Sequence, residues 1–372
     1  MNKKTKLTFF DKLVRAIAVI LAIVLILGMV AGNIDPRQNK YIPYFGLAYP
    51  YVLFLNIFMI LWWLLRKRLV FAILTIALIV SGSRAFRATF SFFGTEDGIG
   101  PKSSPDLLRM MTYNVHNFKP YDPGNTDSVK TQMLDLVRKE NPDIIGFQEY
   151  YTRKKGAFDL TDSLKSILKT KYYYFVPSSQ NDYEGTGLAI FSKYPIKNKG
   201  TIWFDEMHSG NCSIYVDLEV NGKIIRIYNV HLQSISFVKQ DYEYLDEVKK
   251  DMDAKLTPSK RILWMLKSAF VKRSAQVDLM KEHMKSCKTP YLIAGDFNDT
   301  PASYAVTQIT KSLDRTFVKK GQGMGTTYNG KFPNFQIDYI AVTKDIEVIN
   351  HRVIEAKLSD HFPLRSDLRL NP

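Results

Sequence analysis

The chain has 372 residues, enough for one large domain and an appendage. Its formal charge of +15 is uneven: residues 1–100 hold twelve Lys+Arg against four Asp+Glu, and the other 272 hold 39 against 32. Much of the excess therefore flanks apolar runs, where cations report topology, and this weakens any argument from charge to nucleic acid. Two cysteines, Cys212 and Cys287, lack CxxC or metal-ligand spacing, which leaves one disulfide or two free thiols.

Three uncharged runs come first: 17 residues at 16–32, 25 at 41–65 and 15 at 69–83. A membrane-crossing helix needs about 20 mostly apolar residues. The runs predict spans at about 14–32, 45–65 and 68–86, the last short unless Arg68 and Arg84 snorkel. A cleaved signal peptide is the alternative for the first run. Its length, the poor cleavage site "GMVAGN" and the span that follows favour an anchor. Lys3, Lys4, Lys6, Lys12 and Arg15 precede the first span, and Arg66, Lys67 and Arg68 separate the second from the third. These cations put the N-terminus and the RKR turn in the cytoplasm and, with three spans, the remainder on the non-cytoplasmic side. If the third run only re-enters, the large domain is cytoplasmic instead. Residues 1–93 thus read as a multi-pass anchor and 94–106, rich in Gly, Ser and Pro, as a linker.

From residue 107 strands and helices alternate. "LLRMMTYNV" reads as a strand, "TDSVKTQMLDLVRKENPD" as a helix with apolar residues at helical spacing, and "IIGFQEYY" as a buried strand. A helix, "TDSLKSILKTKY", and a strand, "GLAIFSKYPI", follow. "CSIYVDLEVNGKIIRIYNVHLQS" is a hairpin around Asn221-Gly222. A helix from Arg273 ("RSAQVDLMKEHMKSC"), the strand "PYLIAGDFND" and the strand "FQIDYIAV" complete the series. Such a series predicts an α/β layered domain that is not purely parallel. No Gly-rich phosphate loop is present.

Polar residues gather where strands stop: Asn114 and His116, Glu149, Asn229 and His231, Asp296, Asn298 and Asp299, Asp360 and His361, with Asp338 inside the last strand. Strand ends at one edge of a layered domain are where distant segments converge. The set is carboxylates, amides and imidazoles without a thiol, which suits Mg²⁺ or Mn²⁺ rather than zinc. Each residue also has a plain reading. "DFND" can be an Asx turn, Glu149 an exposed strand end, and "SDHFPL" a polar loop stopped by Pro363. His116 reads best as an ordinary histidine, and His208, His283 and His351 as structural.

In order, "TYNVHNF", "GFQEYY", "GLAIFSKYPI", "YNVHLQS", "AGDFNDTP", "QIDYIAV" and "LSDHFPL" resemble the endonuclease/exonuclease/phosphatase superfamily over about residues 107–370. The resemblance implies a four-layer α/β sandwich: two mixed β-sheets face to face, flanked by helices, with the active site at one edge. It implies that Glu149 is the principal metal ligand, with Asn114 and Asp360 in or near the metal shell. Asp296 would position or deprotonate the attacking water, Asn298 would hold the scissile phosphate, and His231 would contact the phosphate or leaving group. His361, oriented by Asp338, would stabilise charge developing at phosphorus. Two departures stand out: Gln336 where the family often has Arg, and His116 where some nucleases of the family have an acidic ligand. The first removes a cation near Asp338; the second favours one metal ion over two.

A helical insertion is expected at about 235–272. Its second half, 257–273, has five cations, no acid, and Ile262, Leu263, Trp264, Met265, Leu266, Phe270 and Val271. It is either a bilayer-interface helix or a core helix with solvated lysines, and its place after His231 also suits a lid. The reading is a membrane-anchored, Mg²⁺-dependent hydrolase whose phosphoester substrate is a lipid headgroup or other membrane-proximal ester. A nuclease acting on DNA or RNA is the alternative. A non-catalytic tethered domain is a third, disfavoured because the whole polar set is retained.

Overall fold

The computed structural model describes residues 9–92, 94, 99–120, 128–206, 210–235, 239–251, 256–330 and 333–371. His208 and parts of the linker and insertion lie outside them.

Helix α1 (Phe9–Val30) and helix α2 (Ile42–Leu65) are each long and apolar enough to cross a membrane. At 1.5 Å per residue they run roughly 33 and 36 Å. Ile20, Ile23, Phe58 and Leu61 are exposed on them. The third expected span, 68–86, is instead a bent pair: α3 (Leu69–Ser81) and α4 (Ser83–Thr89), turned by 74°. The break falls at Gly82, which packs against the Met29 side chain of α1: a Cβ there would lie within 2.4–2.8 Å of it. At the other end of α3, Phe71 packs on Trp63 (5.0 Å between centroids) and lies under Arg15 (5.2 Å). Helix α3, roughly 20 Å long, therefore runs from the Phe71 end of the bundle to the Met29 end. Near the Phe71 end Arg66 pairs with the buried Asp11 at 2.9 Å.

The α/β domain packs on the Met29 end. Gly32 meets Thr307, Gly46 meets Ala302, the Gln308 side-chain amide donates to the Gly32 carbonyl (2.8 Å), and Arg37 pairs with Asp278 (2.7 Å).

Its elements follow in order: β1 (Leu108–Asn114), α5 (Val129–Glu140), β2 (Ile144–Arg153), α6 (Leu160–Leu168), β3 (Tyr172–Gln180), β4 (Glu184–Ser192), β5 (Ile196–Trp203), β6 (Cys212–Val220) and β7 (Lys223–His231). Then come α7 (Lys239–Asp251), α8 (Leu256–Ser286), β8 (Tyr291–Asp296), α9 (Tyr304–Ile309), β9 (Asp314–Arg315), α10 (Thr316–Lys320), β10 (Asp338–Val342), β11 (Ile346–Val348), β12 (Arg352–Val353) and β13 (Leu364–Leu370). One sheet runs β11-β13-β1-β2-β4-β3, with β12 on β13, and the other β5-β6-β7-β8-β10-β9. Both are mixed, with β1–β2 and β7–β8 parallel and the other pairs antiparallel.

Alternation along the strands builds the layers. Leu108 and Met110 of β1, and Ile225 and Ile227 of β7, face the core between the sheets. Met111 and Tyr113 face outward onto α5 and α6, and Tyr228 and Val230 onto α8 and α9. The result is the expected four-layer sandwich. At the β6–β7 turn Asn221 and Gly222 both have positive φ (49° and 77°), which sets the hairpin twist.

One expectation changes and one open alternative is decided. The basic stretch and the helix expected from Arg273 are one 31-residue helix, α8, since no Gly or internal Pro interrupts its apolar spacing. Cys212 and Cys287 are both free, Cys212 buried on β6 and Cys287 beyond the end of α8.

Candidate active site

Two parallel strand pairs, one per sheet, deliver the polar residues to one edge. In the first sheet Asn114 ends β1 opposite Gln148 of β2. Just beyond, the β2–β4 register shifts between Phe147 and Tyr150, and Glu149 takes φ +50°. A non-glycine residue in this region is uncommon and costs about 1–3 kcal/mol. The bulge re-aims the Glu149 carboxylate, which accepts from the Asn114 amide (3.2 Å). After Asn114 the chain turns sharply, with positive φ at His116, Asn117 and Phe118. His116 Nδ1 ends 3.7 Å from Glu149 Oε2 and 3.6 Å from Asp360 Oδ1.

In the second sheet His231 pairs in register with Asp296, and Asp296 with Asp338, so three adjacent strands present three titratable side chains in a row. Asp296 Oδ2 lies 3.6 Å from His231 Nε2 and 3.7 Å from His361 Nε2, and accepts from the Asn114 amide at 3.1 Å. Its other oxygen accepts the Asn298 backbone N–H (2.8 Å), an Asx turn that holds Asn298 at φ +52°. The Asn298 side chain lines the cleft and donates to the Leu232 carbonyl (3.0 Å). His361 Nδ1 bonds Asp338 Oδ2 at 2.9 Å, and Tyr328 packs edge-on against its ring (5.5 Å).

Burial is the largest influence on Asp296 and raises its pKa. The neighbouring Asp338 adds to the rise, and His361, His231 and the Asn298 N–H oppose it. Burial works against the His361 cation, yet Asp338 and Asp296 together outweigh it and hold the imidazole well above its ordinary value. At neutral pH the site thus joins a carboxylate of raised basicity to an imidazolium. That pairing can take a proton at one atom and donate a hydrogen bond at another.

Two groups of ligating atoms are present. Asp296, Asp338 and His361 place one ligand atom each within 4.8 Å of one another. They are buried, and His361 Nδ1 and Asp338 Oδ2 are already bonded to each other at 2.9 Å. Glu149 and Asp360 are partly open to the cleft and converge on His116. Their oxygen donors fit a hard divalent cation completed by water and substrate. The Asn114 side-chain oxygen Oδ1 accepts the His116 backbone N–H (3.2 Å), so the side-chain nitrogen, not the oxygen, joins Glu149 to Asp296.

The eight residues expected from sequence all reach this edge; six of them line one cleft of about 250 Å³, while Asn114 and Asp338 stand immediately behind it. His116, set aside as ordinary, is part of that cleft. So is Arg273, fully buried on α8, which bonds Asp299 (2.9 Å) and the Gln233 carbonyl (2.8 Å). Burial pushes Asp299 up, and Arg273 opposes the rise. An arginine on a helical stripe carries no signal of this. Asn229 is absent from the cleft. It is fully buried between the sheets, donating to the Phe147 and Ala189 carbonyls (2.9 and 3.1 Å) and accepting from Gln148 (2.5 Å).

A family model described as the endonuclease/exonuclease/phosphatase family matches residues 111–361. Another, described as a domain of unknown function, matches residues 11–89. No curated protein matches the chain. Among solved structures, an endonuclease/exonuclease/phosphatase from Bacteroides vulgatus is 19% identical over 71% of this chain and 99% of its own, with a TM-score of 0.52. A family protein from Bacteroides thetaiotaomicron is 18% identical over 72% and 100%, with a TM-score of 0.51. A functionally unknown conserved protein from Enterococcus faecalis is 18% identical over 71% and 100%, with a TM-score of 0.50. At these identities the likeness is one of fold.

Proposed function

The chain belongs to the endonuclease/exonuclease/phosphatase family, and on that premise we propose a membrane-anchored, Mg²⁺-dependent phosphodiesterase or phosphatase acting on a lipid headgroup or other membrane-proximal phosphoester. Its class, a hydrolase of phosphate esters, follows from the family. The observation that carries the mechanism is Asp296 standing between two imidazoles, 3.6 and 3.7 Å away, beside the Glu149–Asp360 pair.

Glu149 and Asp360 would hold the ion, which when bound supplies positive charge to the phosphoryl oxygens. Asn114 keeps the Glu149 and Asp296 carboxylates in fixed relation through its amide. Asp296 accepts one proton from the attacking water as the water oxygen bonds phosphorus and the P–O bond to the leaving group breaks. His361, held by Asp338, donates toward the charge that develops on phosphorus. His231 contacts the leaving oxygen or the phosphate, and Asn298 orients the phosphate. His116 sits against both metal-side carboxylates and positions them.

The anchor reading rests on α1 and α2, with α3 as a third pass. Because α3 runs from the Phe71 end to the Met29 end, the domain stands at the end opposite the RKR turn. That arrangement supports the non-cytoplasmic side for residues 107–372.

The test uses the full chain in detergent. It should hydrolyse bis(p-nitrophenyl) phosphate with Mg²⁺ or Mn²⁺ and lose activity to a chelator; no turnover with any divalent ion refutes the reading. A panel of plasmid DNA, RNA, phospholipids and soluble phosphomonoesters then separates substrate classes, and turnover confined to DNA or RNA favours the nuclease alternative. A C-terminal reporter active only in the cytoplasm refutes the topology.

A further inference from the structure

The cleft has two unlike arms that meet at Glu149, His231 and Ser234. One arm, about 500 Å³, is polar, lined by Ser178, Thr186, Asn211, Gln233 and the exposed Lys272. The other, about 250 Å³, has an apolar wall of Leu47, Ile235, Leu266, Phe270, Phe335 and Ile337. Leu47 belongs to α2, the second anchor helix, so part of the catalytic cleft is made of anchor.

This wall is a built contact. Tyr44 of α2 packs edge-on against Phe270 of α8 (5.5 Å) and its hydroxyl donates to the Leu263 carbonyl (2.5 Å). One turn beyond Leu47, Tyr51 packs edge-on against Phe335 (5.9 Å). Helix α8 presents Ile262, Leu266 and Phe270 to the interior, while Leu263 and Trp264 stay exposed on its other side beside the start of α2. The first two turns of α2 are largely covered, and its apolar exposed face begins at Tyr51 and continues through Phe54, Leu55 and Phe58. The lining of the apolar arm reaches Leu47 and Phe335, one turn of α2 from Tyr51, where the exposed apolar face of that helix begins. Leu263 and Trp264, exposed beside the start of α2, suit a bilayer interface.

We propose that the substrate is an amphiphilic phosphoester taken from the surrounding leaflet, its apolar chain lying between anchor helix α2 and α8 and its polar headgroup in the Asn211–Lys272 arm. The anchor is then a specificity-determining part of the site, with Leu47 its contributing side chain. The occupant follows from the two arms together. A sugar phosphate has nothing apolar to set against Leu47, Leu266 and Phe270. A nucleic-acid strand, whose bases can stack on a ring such as Phe270, needs a basic track for its backbone, and the polar arm is lined by one lysine, Lys272. The inference rests on the phosphoesterase reading and specifies its substrate.

The test keeps the reacting centre constant. Full chain in detergent is given methyl, butyl and octyl p-nitrophenyl phosphates below their aggregation limits. Each buried methylene is worth about a four-fold gain, so kcat/KM should rise at least roughly 50-fold from methyl to octyl, the gain of about three buried methylenes. The octyl-to-methyl ratio should fall about ten-fold or more in Leu47→Asn and in Phe270→Ser. Taking the ratio within one protein cancels general loss of active enzyme, and Leu266→Asn serves if either variant fails to accumulate. A flat series with measurable methyl-ester turnover overturns this inference alone. A steep series that Leu47→Asn leaves unchanged overturns the part given to the anchor. Absence of methyl-ester turnover with every divalent ion overturns the phosphoesterase reading and this inference with it.

Discussion

Asn229→Ala separates the architecture of the site from its chemistry. Asn229 reaches from β7 across the core to β2 and β4, and its three hydrogen bonds are fully removed from water. Alanine leaves two carbonyls, of Phe147 and Ala189, without this donor, whereas the Gln148 amide keeps Thr112 Oγ1 at 3.0 Å. A buried polar group that loses its partner costs about 1–3 kcal/mol. Two give about 4 kcal/mol, and the gap opened against Gly146, whose Cα face abuts the Asn229 amide, adds to this. For a domain of this size about 4 kcal/mol lowers the Tm by roughly 8–16 °C. Thermal melts of the detergent-purified full chain measure the shift. Turnover of bis(p-nitrophenyl) phosphate well below both melts should stay within about three-fold of wild type, because no cleft-facing atom changes. A Tm shift under about 2 °C would refute the energetic argument. Loss of turnover by about 100-fold without a shift, roughly 2.7 kcal/mol of transition-state stabilisation, would put Asn229 in the chemistry instead.

Further outcomes follow from the same geometry. Asp338→Asn removes a charge-assisted bond of about 1.5–3 kcal/mol, so the alkaline limb of the pH–rate profile, which lies above about 6.5 in the wild type, should move down by about 1–2 pH units; an unmoved limb means His361 does not act as a cation. Since the folded His361 pKa exceeds its unfolded value, the stabilisation it brings is full below about pH 6.5 and fades as pH rises through the folded value, which pH-dependent melts will record. Glu149→Gln should lower metal-dependent turnover at least roughly 100-fold, with partial recovery at raised Mn²⁺ and an unchanged circular dichroism spectrum. Arg273→Met leaves the Asp299 carboxylate buried and unpaired, and should destabilise the protein by about 3–5 kcal/mol, read as a lowered Tm.

Features set by local chemistry were legible in the sequence. Strand alternation, the Asn221-Gly222 turn and the polar strand ends all depend on a few adjacent residues, and each led to the observed element. Features set by partners were not. The bulge that turns Glu149 into the cleft is visible only once β4 is alongside β2. His116 looked ordinary because its two carboxylate neighbours come from β2 and from the segment before β13. Leu47 is indistinguishable by composition from the leucines of α2 that face outward; its position opposite Leu266 and Phe270 comes from the docking of the whole domain on the N-terminal helices. The Gly82 break in the third apolar run likewise meets its neighbour, Met29, from another helix.

The tetrapeptide Tyr-Asn-Val-His occurs at 113–116 and at 228–231, and the contrast between its copies tests this distinction. Both copies keep the same pleat parity, with tyrosine outward and asparagine toward the opposite sheet. They differ in where the strand stops. After Asn114 the chain leaves the sheet through a left-handed turn at His116, so Asn114 stands at the sheet edge against Glu149 and Asp296. In β7 pairing with β8 continues two residues further, to His231 opposite Asp296. Two residues of strand are about 7 Å, which sets Asn229 one pleat deeper, inside the sandwich, and brings His231 to the edge that Asn114 occupies in the other sheet. Identical side chains thus exchange roles because a neighbouring strand extends one pairing and not the other. On this account Asn114→Ala, which also strips buried Asp296 of a donor, should lose turnover far beyond what its lowered Tm explains, whereas Asn229→Ala should lose Tm with turnover nearly kept.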